Sequence, residues 1–134
     1  MGKNDLLKIY CTVLRPSAEY CSTVYHSLIP KYMSDKLETV QRQALKIIYG
    51  WHYDIDSLFE HGIIETLVKR REDNCLAFAM KAKENPRFRD WFPLSDCTRS
   101  VRDSTWRIYK ERQCRTERTR NNPIQYMIRQ LNSQ

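Results

Sequence analysis

The residues able to do chemistry in this chain are few, and most are spaced for another purpose. Cys11, Cys21, Cys75, Cys97 and Cys114 are odd in number and widely separated. With no signal-peptide pattern after Met1, a disulfide framework is not expected. There is no Cys-x-x-Cys, and His26, His52 and His61 do not fall at zinc-ligand spacings beside a cysteine pair. A structural zinc would have to draw on Cys97, Cys114 and a distant histidine. A catalytic cysteine-histidine pair has no local support. Cys11, Cys21 and Cys75 lie in helical apolar stripes and are expected to act as small core hydrophobes. Asp54-x-Asp56 looks like a metal pair, but it stands directly before Ser57-Leu58-Phe59, where helix-capping acids belong. No catalytic residue, cofactor or metal is assigned.

The chemistry that remains is electrostatic. The 134 residues carry 23 basic and 16 acidic side chains. The excess is uneven: residues 1–86 have a net charge of +1 and residues 87–134 a net of +6. Ten of the eleven cations in the second stretch are arginine, whose planar fork suits phosphate and stacks on bases. That asymmetry points to an anionic partner for the C-terminal third. A well-solvated basic surface would look the same from charge alone.

These side chains need elements to hold them, and the periodicity is helical throughout. Leu6, Tyr10, Val13 and Leu14 form one stripe, interrupted by Pro16; Cys21, Val24, Tyr25 and Leu28 form a second, running to Pro30. Proline inside a continuing stripe implies a kinked helix or two short ones. The next helix has Ser34 as its expected N-cap, Asp35 and Glu38 in its first turn, and Gly50 just past its end. On a helical wheel Leu37, Val40, Ala44, Ile47 and Ile48 share one stripe, flanked by Leu45, and Glu38, Arg42 and Lys46 line the opposite side. Arg42 and Lys46 there are either a phosphate-contacting ridge or a solvated face with an intrahelical Glu38 pair. Gln41 falls near the apolar stripe, so its amide is expected to be buried and bonded to a neighbouring loop.

A short helix follows over Asp54 to Gly62 and a longer one over Thr66 to Asn85, stopped by Pro86. Phe88, Trp91 and Phe92 alternate with Arg87, Arg89 and Asp90. Such a cluster can stack nucleobases or pin a loop to the helical core, and three aromatics so close together favour pinning. Ser100-x-x-Asp103 has the form of a capping box. The stretch Arg99 to Arg120 around it holds eight basic and three acidic residues, with Val101, Thr105, Ile108 and Tyr109 as a narrow inner stripe. Asn122-Pro123 opens a last helix whose apolar face is Ile124, Met127, Ile128 and Leu131.

The fold expected is therefore all-α: a small helical bundle with an arginine-rich, partly helical C-terminal extension. Its segments are residues 1–50, 51–86 and 87–134. No apolar run reaches the length of a membrane span, and a soluble intracellular chain is expected.

In order along the chain, Leu7-Lys8-Ile9-Tyr10, Val13-Leu14-Arg15-Pro16, Glu19-Tyr20, Val24-Tyr25 and Leu37 to Ile48 resemble one known pattern. It is that of the thumb region of a non-LTR (LINE-type) retrotransposon reverse transcriptase. The family shows a Leu-(Ile)-Tyr helix, Arg-Pro, Glu-Tyr and a Leu-Glu-x-x-Gln-Arg-x-Ala helix. Leu67 with Arg70-Arg71, and Asn122-Pro123-Ile124 to Leu131-Asn132, resemble stretches downstream of the thumb. The resemblance spans nearly the whole chain.

It implies a piece without the polymerase centre. The metal-binding palm aspartates and the endonuclease lie upstream in this family, no Tyr/Phe-x-Asp-Asp occurs here, and Glu72-Asp73 sits mid-helix. What the resemblance leaves is the thumb's grip on RNA or an RNA/DNA duplex through the backbone. Arg42 and Lys46 would be carried over, supplemented by Arg99, Arg102, Arg107, Lys110, Arg112, Arg115, Arg118 and Arg120. Loss of the palm would expose an apolar face open to self-association. The alternatives are a helical protein-interaction module, or a retrotransposon remnant without a selected role.

Overall fold

A computed structural model of the chain describes residues 2–95 and 108–134. The protein is all-α: helices account for nearly all regular structure among these residues, with one isolated antiparallel bridge, Leu94 to Tyr109. It divides into two compact units. The first comprises Met1–Ser22 and Ile29–Glu72, the second Thr23–Leu28 and Asp73–Gln134.

The first unit opens with α1 (Lys3–Ile9), a π-helical turn (Tyr10–Leu14) and α2 (Arg15–Glu19), which follow one another without a break. Of the two arrangements Pro16 allows, the structure takes the single distorted helix. Proline offers no N–H to the carbonyl four residues back, and the chain widens by one residue so that the Arg15 N–H reaches the Tyr10 carbonyl. The Ser17 hydroxyl donates to the Val13 carbonyl at 2.8 Å. The Gly2 N–H donates to the Asp5 carboxylate at 3.0 Å and fixes the start of α1.

Cys21 breaks the helical path with φ of 55°, and only one turn, α3 (Ser22–Tyr25), follows. The second apolar stripe does not become core: Val24 and Leu28 are exposed, and so is Cys21. Cys75 is the cysteine that behaves as a core residue, while Cys11 and Cys114 are half-buried.

Helix α4 (Lys31–Tyr49) starts at Pro30 rather than at Ser34, and ends at Gly50, whose φ of 106° suits a residue without a side chain. Its buried face is Gln41, Leu45 and Ile48. Val40 and Ile47 point to solvent at 61% and 67% exposure, so the helix is turned away from the orientation its hydropathy implies. The Asp54 carboxylate accepts from the Asp56 N–H at 3.1 Å and starts α5 (Ile55–Glu60), the capping role its position indicates. Tyr10, Leu45, Ile48, Ile55, Leu58 and Ile64 form the core of this unit.

Helix α6 (Leu67–Glu84) gives its first residues to the first unit and the rest to the second. Asn85 accepts from the Arg87 N–H and starts a 3-10 helix (Pro86–Trp91). After α7 (Glu117–Arg120), the Asn122 side chain caps α8 (Pro123–Asn132) by accepting from the Ile124 N–H at 3.0 Å. Ala79, Ala82, Phe92, Met127, Ile128 and Leu131 form the second core. The end of the arginine-rich third is thus a packed helix rather than a tail, with Met127, Ile128 and Leu131 of α8 in one cluster with Ala79 and Ala82 of α6. Ile108 and Tyr109 do not continue a helix. They lie in an extended segment, with the Ser95 N–H donating to the Ile108 carbonyl at 2.9 Å and the Lys110 N–H to Pro93 at 2.8 Å. The expected capping box at Ser100 and Asp103 lies outside the described residues.

Candidate nucleic-acid interface

Polar side chains of α2 and α4 converge on the start of α6. Glu38 accepts from the Val68 N–H at 2.7 Å, and the Gln41 amide is bonded at both ends, to the Leu67 N–H at 3.3 Å and to the Glu65 carbonyl at 3.0 Å. Gln41 is buried and fixed to a loop as its position predicts. Arg70 forks onto both oxygens of Glu19 and reaches Glu65 at 3.2 Å. The hydrogen bond to Glu19 holds the Arg70 guanidinium more firmly protonated than usual. Arg71 is fully buried, and its Nη2 donates to the Ser34 hydroxyl at 2.7 Å while Nε and Nη1 have no partner among the described residues. Ser34 therefore serves a side chain on α6, not the start of α4.

These contacts decide what is left for a ligand. Arg42 makes an ion pair with Asp56 at 2.7 Å and lies 5.4 Å from the Phe59 ring centroid, so the expected Glu38 pair is replaced by one with α5. Lys46 sits 6.0 Å over the Trp51 ring. Arg15 is 3.9 Å from Glu19. Every arginine of the N-terminal unit is thus engaged internally.

The second unit differs. Arg112, Arg115, Arg118 and Arg120 are exposed, and no ion pair among the described residues involves any of them. They follow one another along the segment that leads through α7 into α8, with Lys110, also exposed, just before it. The Arg112 N–H is tied to the Gln125 side chain at 3.1 Å, and Arg129 donates to the Arg120 carbonyl at 2.7 Å, so the backbone beneath these cations is anchored to α8. Arg99, Arg102 and Arg107 lie outside the described residues.

The aromatic cluster divides between its two readings. Phe92 is buried in the second core and Phe88 packs against Phe78 with ring centroids 6.2 Å apart, which pins the 3-10 helix to α6. Trp91 leans on Phe88 at 4.6 Å and remains 36% exposed, on the wall of a cavity of about 200 Å³ with Lys110 and Arg112. Nothing local in the sequence distinguishes Trp91 from its two neighbours; the backbone pairing of residues 93–95 with residues 108–110 does. Among the described residues no group of histidine, cysteine, aspartate and glutamate is arranged to hold a metal ion. No described helix is long and apolar enough to cross a membrane.

Comparison with protein-family models, with curated proteins and with solved structures finds no match to this chain.

Proposed function

We propose that the chain is a non-catalytic nucleic-acid-binding fragment that grips RNA or an RNA/DNA duplex through its phosphate backbone. In this reading its residues correspond to the thumb and C-terminal region of a non-LTR retrotransposon reverse transcriptase. The observation that carries it is the contrast in arginine use: those of the first unit are occupied, while Arg112, Arg115, Arg118 and Arg120 stand exposed and unpaired among the described residues. Unpaired guanidinium groups on an anchored backbone neutralise phosphates without first breaking internal pairs. Arg42 and Lys46 join the interface only as a secondary contact, because Asp56 offsets the Arg42 charge.

Fluorescence anisotropy with an RNA/DNA duplex over a salt series tests the proposal. The expected result is binding at low salt that weakens steeply as salt rises. Absence of binding at low salt, or binding indifferent to salt, overturns it.

A second reading rests on a different face. Met33, Leu37, Val40, Ala44, Ile47 and Trp51 follow one another on α4 and just beyond it in steps of four and three residues, the spacing of a helix-pairing seam. Four of them are 46–73% exposed. This ridge, with Val40 and Ile47 its exposed centre, fits self-association with a second copy. Sedimentation velocity distinguishes the readings: a dimer abolished by Ile47→Glu favours self-association, and a monomer at all concentrations excludes it.

A further inference from the structure

We propose that the cavity beside Trp91 takes a single unstacked nucleotide of a bound strand, its base against the indole and its phosphate against Arg112. This rests on the nucleic-acid reading above and gives that surface a second, strand-selective component.

The cavity is built by three pieces of chain, joined by hydrogen bonds from backbone N–H groups. The Lys110 N–H donates to the Pro93 carbonyl at 2.8 Å, the Arg112 N–H to Gln125 Oε1 at 3.1 Å, and Leu94 bridges to Tyr109. The wall that holds the aromatic ring and the wall that holds the cations are therefore fixed to one another before any ligand arrives. Phe88 backs the indole at 4.6 Å, leaving Trp91 to present its remaining surface to the cavity.

The chemistry of the lining selects a ligand class. Arg112 supplies positive charge. Asn122 and Gln125 each have the side-chain oxygen committed to a backbone N–H, to Ile124 and to Arg112, so the NH₂ ends are the groups left to donate. An aromatic plate with a surplus of donors suits a flat acceptor-rich ring attached to a phosphate. Asp90 is the carboxylate in the lining; it repels a phosphate placed beside it and accepts from an exocyclic amine or ring N–H of a base. A cavity of about 200 Å³ admits one base and excludes a base pair, which makes the occupant a nucleotide of a single strand or a strand end.

The test compares a fluorescent single-stranded oligonucleotide with an RNA/DNA duplex of the same length, using the full chain and the variants Trp91→Leu and Trp91→Phe. Trp91→Leu keeps an apolar contact with Phe88 but removes the π face. It is expected to weaken single-strand binding about tenfold, with duplex binding unchanged and Trp91→Phe restoring most of the loss. A mononucleotide that competes for the single strand would mark a free-nucleotide pocket; competition only by a strand would mark a strand site. Equal loss for both ligands, or no loss for either, overturns the pocket while leaving the backbone grip intact. Failure of wild type to bind either ligand at low salt overturns both. Circular dichroism of Trp91→Phe shows whether the 3-10 helix tolerates substitution. If Trp91→Leu fails to fold, Arg112→Gln takes its place: a loss of single-strand binding larger than the loss of duplex binding is expected, and an equal loss for both ligands, or none for either, overturns the pocket.

Discussion

The Glu38 carboxylate accepts the Val68 N–H at 2.7 Å, so a residue in the middle of α4 caps the start of α6 thirty positions later. Gln41, one turn on, completes the joint by bonding the Leu67 N–H and the Glu65 carbonyl. Helix N-terminal amides have no partner within their own helix, and here a neighbouring helix supplies two of them. Replacing Gln41 with Ala leaves a buried donor and a buried acceptor without partners, and should destabilise the fold by about 2–4 kcal/mol. Urea denaturation followed by circular dichroism measures this, and a loss below about 0.5 kcal/mol would show that the joint is dispensable.

Arg70 and Glu19 hold α2 to the same place. Their side chains are 27% and 11% exposed, so water screens the pair only in part. Arg70→Met and Glu19→Gln should each cost about 1–2 kcal/mol, and together less than the sum, because either change alone leaves the other group stranded. A double-mutant cycle with a coupling energy near zero would contradict the bidentate geometry.

Burial raises the Tyr10 phenol above its ordinary value of 10.0, against a smaller opposing pull from Gln41 and Arg15. The folded state therefore holds this proton more tightly than the unfolded chain. The stability it contributes is fully present below the ordinary tyrosine range and is lost as pH rises through the higher folded value. Urea midpoints between about pH 9 and pH 11 should fall in wild type and fall less in Tyr10→Phe. Identical slopes for the two proteins would refute the assignment.

For the interface, the triple substitution of Arg112, Arg115 and Arg118 by Gln should reduce the log–log salt slope of binding by about two to three. Arg42→Gln should change that slope far less, since its guanidinium is already paired with Asp56. A larger effect from Arg42 than from the triple change would relocate the grip to α4.

How much of this was legible in the sequence depends on whether a residue's partner is local. Asp54, Gly50, Asn122 with Pro123, and the stop at Pro86 all act within a few residues of themselves, and each sits where capping and turn chemistry puts it. The burial of Gln41 was legible because its position on the wheel outweighs its polarity. The orientation of α4 was not. Glu38 faces inward to serve α6, whereas the wheel sets it on the outer side with Arg42 and Lys46, and the true buried face swings to Gln41, Leu45 and Ile48. Ser34 was misplaced for the same reason, its hydroxyl being taken by Arg71 from a distant helix. Arg42 and Lys46 share a face as the spacing requires, but sequence alone does not reveal that Asp56 has claimed one of them. The cavity at Trp91 depends on a backbone bridge between residues far apart in the chain, which no local pattern records.

The joint at the start of α6 also governs which protons of this protein are lost to solvent first. A helix ordinarily frays at its ends, and amides in the first turn exchange within the dead time of a deuterium experiment. Those of Leu67 and Val68 are instead held by Gln41 and Glu38. Their exchange must wait for α4 itself to come away, so the beginning of α6 should rank with the core of the N-terminal unit in its resistance to deuterium.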